Sequence, residues 1–126
     1  MPTAYLIIAH GSRETRANEA FFEFLEKFRK TYPKKKVQGA FLELASPNIP
    51  DAIEKCVQTK ADSIVIIPLM LFPGRHVKED IPHIMEEAKA KHPELDFHYA
   101  GPLSDHPMLM SLMEEKLGCF VTVRGH

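Results

Sequence analysis

Four times along this chain a short apolar run gives way to an amphipathic stretch, and this alternation constrains the fold more than any other feature of the sequence. Apolar runs of that length read as strands and the stretches between them as helices. Their strict alternation is the pattern of a parallel sheet covered by helices on both faces. The expected architecture is therefore α/β, an open parallel four-stranded sheet in one domain. With 126 residues, 44% of them hydrophobic, the chain can bury a core without metal or disulfide staples.

The first strand is expected over residues 4–9, followed by a helix from Thr15 to Tyr32 in which Phe21, Phe24, Leu25 and Phe28 recur at helical spacing and read as core. Pro33 and Lys34-Lys35-Lys36 break that helix and lead to a second strand, Val37 to Leu44, with Glu43 near its end. Ser46-Pro47 reads as an N-cap and a first-turn proline for a second helix, which buries Ile49, Ile53 and Val57 and ends near Lys60. A third strand, Ser63 to Pro68, is rich in β-branched residues and runs into a loop, punctuated by Pro73 and Gly74, that carries His76. Asp80 is expected to cap the third helix, with Pro82 in its first turn and Ile84, Met85 and Ala88 as its packing stripe. Leu95 to Ala100 follows as the fourth strand. Gly101-Pro102 turns the chain, and Asp105 is expected to cap a last helix with Leu109, Leu112, Met113 and Leu117 on one face. The domain is expected to span residues 1–118, with 119–126 a tail of no assigned structure.

His10 closes the first apolar run and opens the tetrapeptide His10-Gly11-Ser12-Arg13. In an open doubly wound sheet, side chains at the carboxyl ends of strands border a crevice, and ligands bind where the strand order reverses, commonly between strands one and three. His10 and Glu43 fall at such ends, and His76 lies on the loop after one. Two neutral imidazoles and a carboxylate can hold a divalent first-row metal while leaving positions open for another ligand. Each residue alone also has an ordinary reading, a hydrogen bond to a loop carbonyl for a histidine or an exposed strand position for Glu43. Three such residues after three successive strands, on one rim, favour a site.

Arg13 and Arg75, beside the two histidines, are candidate anchors for anionic groups, whereas Arg16 and Lys78 read as surface residues. Ser12 either touches a ligand or, the preferred reading, caps the first helix. His83, His92, His98, His106 and His126 each have a surface or capping explanation. Met70, Leu71 and Phe72, ahead of His76, fit an apolar wall for a flat ligand, a dimer contact or plain core.

Charge and cysteine usage narrow the function. Sixteen basic against 17 acidic residues give a net charge of -1, which lacks the electrostatic footprint of nucleic-acid binding. Cys56 and Cys119 form no CxxC pair, so neither a thiolate metal site nor a redox motif is spelled. No stretch reads as a signal peptide and no apolar run approaches the roughly 20 residues that span a bilayer, so a cytoplasmic protein without a membrane partner is expected.

Three segments carry a family resemblance: Leu6-Ile7-Ile8-Ala9-His10-Gly11-Ser12-Arg13, Phe41-Leu42-Glu43-Leu44-Ala45-Ser46-Pro47, and Pro73-Gly74-Arg75-His76-Val77-Lys78-Glu79-Asp80-Ile81-Pro82. Together with Gly101-Pro102-Leu103 and Asp105-His106-Pro107 they resemble the small sirohydrochlorin chelatases of the CbiX and SirB type, over roughly residues 4–117. The resemblance implies a chelatase-like sheet of flavodoxin-like winding and insertion of cobalt, iron or nickel, as divalent ions, into sirohydrochlorin on the way to cobalamin, siroheme or a nickel tetrapyrrole. It implies that His10 and His76 hold the metal and take up pyrrole protons, that Glu43 assists, and that short chains of this kind pair as homodimers. The metal is then substrate, and no organic cofactor is expected.

The chemistry supports those roles independently. Insertion must strip water from the cation, remove two pyrrole protons and bend the macrocycle. An imidazole ligates metal when neutral and, titrating at about 6.5 in its ordinary state, accepts a proton near neutrality. Metal and proton compete for the same nitrogen, so acid is expected to slow the reaction steeply. Two readings from other classes also fit the sequence: a nonenzymatic metal or tetrapyrrole carrier, and a phosphotransfer enzyme using His10 as nucleophile, the latter without a second phosphate-binding signature.

Overall fold

A computed structural model of the chain describes residues 2–123. Residues 124–126 of the expected tail, and with them His126, lie outside the described residues. The elements run β1 (Thr3–Ala9), α1 (Thr15–Thr31), β2 (Lys36–Phe41), α2 (Ile49–Gln58), β3 (Ser63–Pro68), α3 (Arg75–Lys91), β4 (Asp96–Tyr99), a single 3-10 turn (Leu103–Asp105) and α4 (Met108–Leu117). The four strands form one parallel sheet in the order β2-β1-β3-β4, so the winding reverses between β1 and β3 as expected. Among the described residues no helix is long and apolar enough to cross a membrane.

Alternation along β1 sends its side chains to two separate cores. Ala4, Leu6 and Ile8 pack with Ile64 and Ile66 of β3 against Ile49, Ala52, Ile53 and Cys56 of α2 and Val77 and Ile81 of α3. Ile7 faces the other way, into a cluster with Phe21 and Leu25 of α1 and Val37 and Phe41 of β2. Leu6, Ile8, Ile64 and Ile66 are fully buried, each worth about 1.5–3 kcal/mol of transfer free energy. Gly39 explains how closely α1 sits on β2, since a Cβ there would stand 2.2 Å from Leu25 Cδ1. Of the stripe expected on α1, Phe24 is 40% exposed; Phe22, exposed to a similar degree, lies edge-on to Phe41 with ring centroids 5.5 Å apart.

Several boundaries differ from the sequence expectation, each for a local reason. The second helix is capped by Asn48, whose side chain accepts from Asp51 N at 2.9 Å, with Pro50 in its first turn. The Ser46-Pro47 signature is not used because the Pro47 carbonyl accepts from Phe41 N at 2.9 Å, which holds residues 47–48 extended beside β2. α3 starts at Arg75, five residues before Asp80, because Val77 and Ile81 extend its buried stripe back by one turn, with Gly74 as N-cap. Asp80 is thus inside the helix, and Pro82 lies in its second turn.

β2 ends at Phe41, so Glu43 stands on the loop beyond it, and β4 is two residues shorter than expected. At the last helix, Asp105 ends the 3-10 turn, and His106 Nδ1 accepts from Met108 N at 3.0 Å where α4 begins. The face expected to pack is open: Leu112, Met113 and Leu117 are 51%, 56% and 79% exposed, and only Leu109 is partly covered.

Candidate functional site

Three loops border the carboxyl edge of the sheet at the β1/β3 reversal: residues 10–14, 42–48 and 69–74. The first two are laced together by their backbones. Leu42 N donates to Ala9 O at 2.9 Å and Glu43 N to His10 O at 3.1 Å, which carries the β1–β2 ladder two residues past the strands. The chain can turn away after His10 only through glycine. Gly11 adopts φ +97°, and a Cβ there would stand 1.8 Å from the Glu43 carbonyl oxygen.

Ser12 fastens this loop. Its N–H donates to Asn18 Oδ1 at 3.0 Å, its carbonyl accepts from Asn18 Nδ2 at 2.8 Å, and its hydroxyl accepts from Glu14 N at 3.0 Å. The N-cap of α1 is Glu14, without a side-chain bond, so Ser12 ties the loop ahead of the helix rather than capping it. Asn18, one turn into α1, escaped the sequence reading. Its signal was an amide close behind a helix start that has no capping side chain of its own.

This scaffold brings two of the sequence-expected site residues together. His10 Nε2 and Glu43 Oε1 are 3.3 Å apart, each side chain about half exposed. His10 Nδ1 lies 3.2 Å from Gly11 O. With Nδ1–H donating to that carbonyl, the Nε2 lone pair faces a carboxylate oxygen, an arrangement that a cation between them relieves, whether proton or metal. For ligand bonds of about 2.1 Å, donors 3.3 Å apart subtend about 104° at the ion, close to the tetrahedral angle.

His76 belongs to a second pair. It stands in the first turn of α3, 87% exposed, with Nε2 3.0 Å from Asp80 Oδ2. Among the described residues no group of three or more His, Cys, Asp or Glu side chains is close enough to share an ion. Arg75 Nε lies 3.0 Å from Glu79 Oε1 with its side chain 93% exposed, and Arg13 is exposed on the first loop. Around the rim Leu44, at φ +66°, Leu71 and Phe72 present apolar side chains to solvent, while Met70 packs into the core.

A third histidine–carboxylate pair lies away from the rim. His92, 15% exposed at the end of α3, places Nε2 2.7 Å from Glu54 Oε1 on α2, with Lys91 Nζ 3.5 Å from the same oxygen. The hydrogen bond from His92 holds the Glu54 carboxyl below its ordinary value. Cys56 is fully buried, and that burial pushes its thiol up to about 11, as fits packing rather than chemistry.

A model of the CbiX family matches residues 4–118. The chain is 34% identical over 121 residues to the chloroplastic sirohydrochlorin ferrochelatase of Arabidopsis thaliana, covering 95% of this chain and 54% of that protein. It is likewise 34% identical over 113 residues to a sirohydrochlorin cobaltochelatase of Priestia megaterium, covering 89% of this chain and 36% of that one. The chain thus spans about half or less of the length of these relatives. The crystal structure of the sirohydrochlorin chelatase SirB from Bacillus subtilis subspecies spizizenii in complex with cobalt superposes with TM-score 0.81 at 29% identity, over 94% of this chain and 50% of that one. A CbiX protein of Marinobacter aquaeolei VT8, assigned to cobalamin (vitamin B12) biosynthesis, superposes with TM-score 0.81 at 25% identity, over 93% of this chain and 95% of that one.

Proposed function

The chain belongs to the CbiX family, and from that premise we propose that it inserts a divalent metal, cobalt, iron or nickel, into sirohydrochlorin. The observation that carries the proposal is the His10–Glu43 pair, two metal-competent donors 3.3 Å apart at the carboxyl end of β1 where the sheet winding reverses. The relatives' names supply the substrate. The pair supplies the chemistry.

His10 Nε2 and Glu43 take the incoming ion from water, and His76, which stands outside ligand distance of that pair and against Asp80, joins as the further nitrogen ligand only when its exposed side chain turns from α3 toward the ion. As the metal passes to the macrocycle, two pyrrole N–H protons must leave. The imidazole and carboxylate vacated by the metal are the bases in place to accept them, so one set of atoms serves both halves of the exchange. Arg13 and Arg75, the latter released from Glu79, meet the carboxylates of the tetrapyrrole, and Ser12 holds the loop that presents His10. Leu44, Leu71 and Phe72 give the ring an apolar surface, as cofactor-sized ligands need. In this reading residues 1–118 are one catalytic domain that works in the cytoplasm as a homodimer, without an organic cofactor.

Anaerobic incubation with sirohydrochlorin and cobalt(II), nickel(II) or iron(II), followed by absorption, tests the proposal. Insertion should run well above the no-protein rate, and His10→Ala or His76→Ala should return it to that background. Tetrapyrrole binding with only background insertion would make the protein a carrier, and absence of both would remove the tetrapyrrole altogether.

A further inference from the structure

Apart from the rim and the His92–Glu54 tie, α3 sets one more imidazole against a carboxylate. His83 and Glu87, one turn apart, place Nε2 2.8 Å from Oε1, with side chains 70% and 69% exposed. His83 follows His76 by two helical turns, so the pair shares a helix face with His76 and Asp80 and stands about 10 Å further along the axis. The cations of this helix are engaged elsewhere: Arg75 with Glu79, Lys89 with the carbonyls of Pro93 and Leu95, and Lys91 with Glu54. Lys78 falls on a different face of the helix. Among the described residues, only His83 forms an ion pair with Glu87.

We propose that His83 and Glu87 form a second divalent-metal site, one that takes a first-row ion such as cobalt(II), nickel(II) or zinc(II) with most of its hydration water still bound. The ion displaces the proton shared by imidazole and carboxylate, and that proton leaves to water. With ligand bonds of about 2.1 Å, donors 2.8 Å apart subtend about 84° at the ion, close to the right angle between neighbouring ligands of an octahedron. Such ions are octahedral in water, so the pair replaces two adjacent waters without reshaping the shell. The wider His10–Glu43 pair, at 3.3 Å, suits a tetrahedral ion instead. Among the described residues no third His, Cys, Asp or Glu closes on the pair, so water fills the remaining positions and the site is weaker than the rim. It also differs from His92–Glu54, where Lys91 already stands against the carboxylate and the imidazole is 15% exposed. The proposal is independent of the insertion reading: this ion is held away from His76 and takes no part in the transfer.

Cobalt(II) alone, titrated into a His10→Ala/Glu43→Gln/His76→Ala variant, tests the site with the rim disabled. The paramagnetic ion should broaden the His83 imidazole resonances before those of the other histidines, and no intense tetrahedral absorption should arise with it. Adding His83→Gln or Glu87→Gln to that background should weaken binding about tenfold and leave urea unfolding unchanged. In the otherwise wild-type chain, His83→Gln should remove the weaker of two cobalt(II) binding steps and leave the insertion rate untouched. His83 resonances that stay sharp once cobalt(II) has filled the wild-type rim would reduce the pair to an ordinary helix ion pair and overturn the site. So would binding indifferent to both substitutions, or an intense tetrahedral band in the rim-disabled variant. A wild-type chain in which cobalt(II) broadens His83 but never His10 would overturn the insertion reading and leave this site standing.

Discussion

The His10 and His76 halves of the rim stand on supports of different kinds. His10 and Glu43 lie far apart in sequence, and backbone bonds between two loops, a glycine at positive φ and the Ser12–Asn18 clasp hold them at 3.3 Å. His76 and Asp80 are four residues apart on one helix and meet by the repeat of the helix alone. The first pair is a product of the whole fold, while the second needs only the first turns of α3. Damage to the backbone scaffold of the first should therefore reach stability, whereas a change in the backbone ahead of the second should leave stability nearly untouched.

Glycine substitutions make the contrast largest. Gly11→Ala forces a left-handed backbone on alanine and drives its Cβ to 1.8 Å from a main-chain oxygen, so the β1 and β2 loops must part. Urea unfolding should show a loss of about 2–4 kcal/mol. Gly74→Ala, at the N-cap of α3, meets nothing within 4 Å and should cost about 0.5 kcal/mol or less. Equal costs at the two glycines would show that both halves of the rim rest on local structure.

The carboxylates sharpen the same comparison at smaller scale. Glu43→Gln removes a donor from the proposed metal grip and should lower cobalt(II) affinity about a hundredfold, whereas Asp80→Asn removes only the group that orients His76 and should cost about tenfold. Titration with cobalt(II) measures both, and unfolding should be unchanged in each. If Asp80→Asn proved the more damaging, the ion would make its first contact on α3.

The same difference explains what was legible in the sequence. Strand positions, the winding reversal and the placement of His10 followed from apolar runs and a glycine, because a parallel strand buried on both faces leaves an unbroken signature. The start of α3 did not, because Asp80 resembles a cap and Pro73-Gly74 a loop, while the decisive residues, Val77 and Ile81, show their role only once the core they enter exists. The α2 cap was misplaced for a related reason: Ser46-Pro47 and Asn48-Ile49-Pro50 are both plausible starts, and a bond from Phe41 across the loop selects the second. On α4 the apolar spacing was legible but not its destination. Helical periodicity marks a face that seeks cover without saying whether that cover lies in the same chain.

The third pair, His92–Glu54, gives the smallest expected effect and the best control. It resembles His10–Glu43 in chemistry and in joining distant elements, but His92 is 15% exposed against about half for His10 and Lys91 Nζ already stands 3.5 Å from the shared Glu54 oxygen, so the pair ties α2 to α3 with a cation of its own. The hydrogen bond from His92, aided by the charges of His92 and Lys91 against the opposing effect of burial, holds the Glu54 carboxyl below its ordinary 4.5. A carboxyl with a lowered folded-state value stabilises the fold fully above the unfolded value and loses that contribution as pH falls through the folded one. Glu54→Gln should therefore lower the urea midpoint slightly at neutral pH, and the gap to wild type should close in acid. The insertion rate should not change at any pH where the protein is folded. A loss of rate without a loss of stability would mean that a histidine–carboxylate pair need not face the rim to serve the reaction, and exposure would cease to separate the working pair from the structural one.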